Sequence, residues 1–204
     1  FDHSSAPTYE TTTSANAVNL GVRFQSTNIG RIDEICFYKD ASMDGETHVG
    51  TVYDSTGAVL ANHTFSDETE SGWQCETLSA PVGILNAVNY TVAVHFPSKY
   101  VYTRNFFTTA YMNTDEILSA SNLNGRYVYA ASSLYPTSVA LFKPNYWVDF
   151  VVSYQGAGGP WLVTVLNASS SGAKCTVQDS RVVDNGNATE VEVEVANGWK
   201  ATFS

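Results

Sequence analysis

The sequence predicts an all-β protein, a jelly-roll or immunoglobulin-like sandwich followed by a small, incomplete β-domain. Three observations carry this expectation. Apolar residues alternate with a period of two along most of the chain. Turn signals rich in Gly, Ser and Asn separate the alternating runs at short, regular spacing. One stretch alone, residues 114–120, has helical character, enough for one or two turns. Many short strands without long helices bury their apolar faces best as two packed sheets.

The strands follow in order. Val18-Asn19-Leu20-Gly21-Val22-Arg23-Phe24 alternates over seven residues. Gly30 opens the run Arg31 to Tyr38, in which Ile35 and Phe37 share a face. Further strands are expected at residues 49–54, 58–65, 73–78, 90–96, 127–130 and 146–152, separated by Ser55-Thr56-Gly57, Ser71-Gly72, Pro97-Ser98 and Asn124-Gly125. This sandwich spans residues 15–153. Three glycines and a proline then make residues 154–160 a linker.

The tail, residues 161–204, has four or five expected strands, among them Glu190-Val191-Glu192-Val193-Glu194-Val195, whose valines and glutamates take opposite faces. So small a sheet leaves apolar surface and edges uncovered. At the other end, residues 1–14 precede the first clear strand and have no evident place in the sandwich. Thr8-Tyr9-Glu10-Thr11-Thr12-Thr13 favours extended structure, and Pro7 keeps the residue before it out of a helix. An extended arm and an incomplete sheet are the two halves of donor-strand complementation. We therefore expect Thr8, Tyr9, Thr11 and Thr13 to donate, and Trp161, Val163, Val165, Val191, Val193, Val195 and Phe203 to accept. The plainer expectations are a disordered terminus and a tail that packs on the sandwich.

Composition narrows the function classes. The 204 residues carry 10 basic against 20 acidic side chains, a net charge of -10, which disfavours nucleic acid and anionic membrane surfaces. No apolar run is long enough for a transmembrane helix. The chain begins at Phe1, from which we expect either a removed secretion signal or a fragment. Three cysteines, Cys36, Cys75 and Cys175, show no zinc-ligand spacing. Asn62, Asn89, Asn167 and Asn187 head glycosylation sequons, although a chain rich in Asn, Ser and Thr yields several by chance.

The segments Leu20-Gly21-Val22-Arg23-Phe24, Ile35-Cys36-Phe37-Tyr38-Lys39, Gly50-Thr51-Val52-Tyr53-Asp54, Ser71-Gly72-Trp73-Gln74, Tyr90 to Phe96 and Asn145-Tyr146-Trp147-Val148-Asp149-Phe150 occur in that order. In them, residues 17–153 resemble a family of secreted bacterial β-sandwich modules catalogued as a domain of unknown function. The resemblance implies the sandwich fold and no activity. Two departures from the family's pattern stand out. Cys36 sits where such modules usually carry a polar residue, and Cys75 follows Gly-Trp-Gln. Unusual cysteines on candidate neighbouring strands favour a Cys36–Cys75 disulfide, worth roughly 3–4 kcal/mol for a loop of about 40 residues. Three buried, inert thiols are the alternative.

Motifs for catalysis are missing: no nucleophile elbow, no His-Glu-x-x-His and no phosphate loop occurs. We therefore expect a non-enzyme. Residues 97–147 hold seven of the 12 tyrosines, and Tyr100, Tyr102, Tyr127, Tyr129 and Trp147 are candidate sugar-stacking rings; packing of the insertion would use them equally well. Asp40, Asp44 and Glu46 place three carboxylates in one loop, as a structural calcium site would, or as any solvated acidic turn would. The expected function is a non-catalytic extracellular subunit of a secreted or surface filament, a homopolymer assembled head to tail. The alternative is a carbohydrate-binding or adhesion module of a larger secreted protein, with polysaccharide as its partner.

Overall fold

The computed structural model describes His3 and residues 6–112, 117–119, 123–154, 191–195 and 199–203. The chain divides into two compact units, Phe1–Tyr154 and Gln155–Ser204. The division falls at the start of the expected linker, of which residues 155–160 lie outside the described residues.

In the first unit the strands are β1 (Glu10–Thr13), β2 (Val18–Ser26), β3 (Gly30–Lys39), β4 (Val49–Tyr53), β5 (Val59–Thr64), β6 (Gly72–Ile84), β7 (Asn89–Phe96), β8 (Lys99–Tyr102), β9 (Tyr111–Met112), β10 (Ile117–Ser119), β11 (Gly125–Tyr129), β12 (Ser138–Val139) and β13 (Val148–Tyr154). Two antiparallel sheets form the sandwich. The larger has the order β12-β11-β2-β7-β4-β5, with β10 and β9 continuing beside β2; the smaller is β13-β3-β6. Strands β1 and β8 form a separate two-stranded sheet. In the second unit β14 (Val191–Val195) pairs with β15 (Trp199–Phe203), Val191 opposite Phe203 and Val195 opposite Trp199. Trp161, Val163 and Val165 lie outside the described residues.

Alternation explains which faces meet. In β2 the buried Val18, Leu20, Val22 and Phe24 stand opposite Phe96, Val94, Val92 and Tyr90 of β7, so both strands present one apolar face. Against it the small sheet sets Ile35 and Phe37 of β3 with Val148 and Phe150 of β13. The Phe24 and Phe150 rings lie 4.1 Å apart between centroids. Gly50 of the large sheet lies close to Ile35 of the small one: a Cβ there would meet the Ile35 side chain at 2.8 Å, so a larger residue would force Ile35 to shift.

Three sequence expectations are corrected. Residues 117–119 of the expected helical stretch are a strand, with Ile117 opposite Ser26 and Leu118 opposite Gln25. The reason is tertiary: β11 covers β2 only as far as Val22, and β10 takes up the edge beyond it. The expected strand 73–78 is longer, running from Gly72 to Ile84 with a shift of register against β3. Most consequential, the arm has a place in the sandwich. Glu10 to Thr13 pair with Tyr102 to Lys99, and Ser14 N donates to Ser98 O at 2.6 Å.

Candidate functional site

The arm crosses the outer face of the small sheet. Successive residues of a strand face opposite ways, so Ile35 and Phe37 point to the core while Cys36 and Tyr38 point outward. Opposite them in β6 stand Cys75 and Trp73, and Asp149 of β13 is opposite Cys36. An outer face would ordinarily be wet, yet Cys36 is 0% and Tyr38 9% exposed. His3 and Tyr9 of the arm, with Trp73 and Trp147, make the cover. The His3 ring lies 4.4 Å from that of Trp73, and its Nε2 is 2.7 Å from Asp149 Oδ2. Tyr9 packs 5.2 Å from Tyr38 and donates its hydroxyl to Asp40 Oδ2 at 2.8 Å. That bond, with burial added, pushes the Tyr9 phenol up to about 12. Farther along, Glu10 accepts from Tyr102 and Arg104, and the Thr103 hydroxyl donates to Thr8 O.

Cys36 and Cys75 are joined by a disulfide, as expected. A disulfide directly across an antiparallel pair ties β3 to β6 beneath the arm. Trp147 closes the end of this face in a left-handed backbone conformation, φ 53°, rare for a bulky side chain. Asn145 Oδ1 accepts from Trp147 N, and the indole Nε1 donates to Thr103 Oγ1, both at 2.9 Å. These bonds hold the ring 5.2 Å from Phe106 and 6.3 Å from Trp73.

The candidate donor residues divide by burial. Tyr9 is half-buried, but Thr8, Thr11 and Thr13 are exposed. The candidate acceptors Val191, Val193, Val195 and Phe203 belong to β14 and β15.

The tyrosines of the insertion do converge. Tyr127 and Tyr129 stand opposite Leu20 and Val18, so they extend the inner face of the large sheet past the reach of the small one. Tyr100 and Tyr102 of β8 meet them there, with Tyr146 packed 6.1 Å from Tyr100. Tyr129 is 55% exposed, and Tyr100 and Tyr127 are partly so, whereas Tyr102 and Trp147 are buried and offer no free stacking face. Burial, then the neighbouring phenols, push Tyr100 up to about 12. The Arg104 guanidinium lies 4.8 Å from the Phe142 ring and 5.4 Å from that of Tyr102.

In the acidic loop the carboxylates of Asp40, Asp44 and Glu46 turn to separate partners. Asp40 caps the turn Ala41–Met43 by accepting from Ser42 N at 3.0 Å, and it also accepts from Tyr9. Asp44 pairs with Lys39 at 3.3 Å, and Glu46 accepts from Ser98. Lys39 is itself buried and bonded to Glu68 at 3.0 Å, which also takes His48 Nδ1 at 2.9 Å. Burial would lower the Lys39 pKa, but Glu68 and Asp44 together raise it above the ordinary value. Among the sequons, Asn62 is exposed on β5 and Asn89 is partly buried, accepting from Arg23 at 3.2 Å. Asn167 and Asn187 lie outside the described residues.

The sequence reading missed His3, Trp73 and Tyr38 as partners on one face. The one available signal was the Tyr38, Trp73 and paired-cysteine placement on neighbouring strands; nothing local ties His3 to residues so far along the chain.

A disulfide-tied, all-β sandwich with its own N-terminal strap defines the class of this protein. Within that class, the chain belongs to the family described as a domain of unknown function (DUF4082), whose model matches residues 4–148. The match takes in most of the arm and the sandwich up to the start of β13. No curated protein matches the chain.

Proposed function

We propose that the protein is a non-catalytic extracellular structural subunit, which assembles head to tail with copies of itself by exchanging its N-terminal arm. The observation that supports this reading is the arm's attachment. It lies across the outer face of one sheet, pairs with β8 alone, and leaves Glu10, Thr11 and Thr13 exposed. A segment seated this way can leave without opening the core. Docked on a second copy it remakes every contact it gave up, so exchange costs little beyond association entropy. Donor and acceptor are different surfaces, so the contact is heterologous and repeats into a ring or an open filament. The acceptor in this form is the face formed by Tyr38, Trp73, the disulfide and Asp149, extended along β8. It replaces the C-terminal hairpin as the first choice. The disulfide and the hydroxyl-rich, sequon-bearing surface fit secretion or the cell surface.

The test compares the full chain with one lacking residues 1–14, by negative-stain microscopy and light scattering. Filaments or a concentration-dependent mass in the full chain alone support the reading. Add-back of a peptide of residues 1–14 should then cap the assembly. Monodisperse particles for both chains, or assembly that survives the deletion, overturn it.

The tyrosine cluster favours a second reading, a carbohydrate-binding or adhesion module. The rings of Tyr100, Tyr127 and Tyr129, none of them fully buried, offer flat apolar faces with hydrogen-bonding hydroxyls, the chemistry a pyranose ring needs. A monomer retarded in polysaccharide gels, and released by Tyr129→Ala, would favour this reading over the first.

A further inference from the structure

We propose that the reduced form of the Cys36–Cys75 pair is a cation site, with His3 of the arm as its third ligand and Asp149 as the group that orients His3. The three side chains stand close to the places a thiolate–imidazole site would give them. His3 Nδ1 lies 3.7 Å from Cys75 Sγ and 4.0 Å from Cys36 Sγ, and the three ligand atoms all lie within 4.8 Å of one another. Zinc holds thiolate sulfur at about 2.3 Å and imidazole nitrogen at about 2.0 Å in a tetrahedron, which separates neighbouring ligand atoms by roughly 3.5–3.8 Å. The nitrogen is therefore already placed, and only the two sulfurs must part.

The orientation of the imidazole points the same way. Its Nε2 is 2.7 Å from Asp149 Oδ2. A neutral ring that donates there carries its lone pair on Nδ1, aimed at the two sulfurs. A disulfide sulfur has no proton to give that lone pair. A cation held by two thiolates would use it, with Asp149 as the carboxylate behind the histidine. Asp149 is 5% exposed and Cys36 is 0% exposed, so one thiolate and the orienting group are shielded, while Cys75 and His3 are partly open and can admit an ion.

The two states exclude each other. An external dithiol supplies two electrons and two protons, the S–S bond breaks, and the dithiol leaves as its own disulfide. Binding of a divalent cation then displaces both thiol protons. Zinc, with its affinity for sulfur and imidazole, is the class of ion this donor set takes. Because one ligand lies on the arm, the ion pins the arm at home. The inference needs only an arm seated on a sandwich, so it survives a failure of the self-assembly reading.

The experiment uses the full chain with Cys175→Ser, which removes the remaining thiol. The protein is reduced with a phosphine and titrated with Zn²⁺ against a chromophoric chelator, and with Co²⁺ for the spectrum. One zinc per chain is expected after reduction and none before it. Co²⁺ should give thiolate charge-transfer bands and intense tetrahedral d–d bands. His3→Ala should weaken zinc binding while the oxidised protein keeps its circular dichroism and disulfide. Asp149→Asn should weaken it by about 10–100-fold. Equal zinc uptake by oxidised and reduced protein, uptake unaffected by His3→Ala, or a reduced chain that neither takes zinc nor is refolded by it would each overturn the proposal.

Discussion

The two faces of the small sheet are sealed in different ways. The inner face, Ile35 and Phe37 with Val148 and Phe150, meets a second sheet and belongs to the apolar core. The outer face, Cys36 and Tyr38 with Trp73 and Asp149, meets a single extended segment, held by a few hydrogen bonds and ring contacts. Cys36 and Tyr38 are as buried beneath their cover as Ile35 and Phe37 are in the core, while Trp73 and Cys75 stay partly exposed. One cover is the fold itself; the other is a strap that can lift while the fold persists. Burial by itself therefore says little about permanence, and the partner that does the burying decides it.

The largest effect should come from breaking the inner face. Phe37→Ala removes a fully buried ring packed against His48, Phe65 and Phe96, and should cost about 3–5 kcal/mol in a denaturant titration. If the loss is under about 1 kcal/mol, the inner face is not the permanent one. Next is the tie between the faces. Cys75→Ser, or reduction, should lower stability by about 3–4 kcal/mol, seen as a lower denaturant midpoint. A smaller third effect comes from the buried charge network at the end of β3. Lys39→Met leaves Glu68 without its ammonium and should cost about 3 kcal/mol at most, partly offset because His48 can still bond Glu68.

The same network sets a pH dependence. Burial lowers the His48 pKa below its ordinary value of 6.5, although Glu68 and Glu46 oppose the shift. The unfolded chain then binds the extra proton first as pH falls. The contribution of His48 is complete above about 6.5 and is lost progressively below it. Unfolding midpoints between pH 8 and 5 should fall below that value, and His48→Gln should flatten the fall. The smallest effect belongs to the strap. Tyr9→Phe removes one hydrogen bond to Asp40, worth about 1 kcal/mol of docking, and should speed amide exchange in residues 8–13 while leaving β2 and β7 protected. Equal deprotection of β2 would mean the strap and the core open together.

The inner face was legible in the sequence because its signal is local. Alternation from Val18 to Phe24 and from Tyr90 to Phe96 fixed β2 and β7 and the side each residue takes. The outer face was not. Its cover comes from pairings such as Glu10 with Tyr102 and His3 with Asp149, which no window of neighbouring residues contains. The stretch 114–120 failed for a related reason: its helical propensity is weaker than the open edge of β2 that it completes. The tyrosine count pointed to the right region, but it could not separate Tyr129, which is open, from Tyr102 and Trp147, which are enclosed. The disulfide was legible because two departures from a family pattern fell on neighbouring strands.

Synthesis adds an order to these events. The strap leaves the ribosome before any residue it will contact. Its pairing with β8 must wait until Tyr102 has emerged, and the His3–Asp149 contact until the chain has grown past β13. Until then the strap does not cover Cys36 and Cys75, and the oxidant that joins them can reach them. The strap is thus made before its partners, and it closes over the disulfide only after β13 has followed.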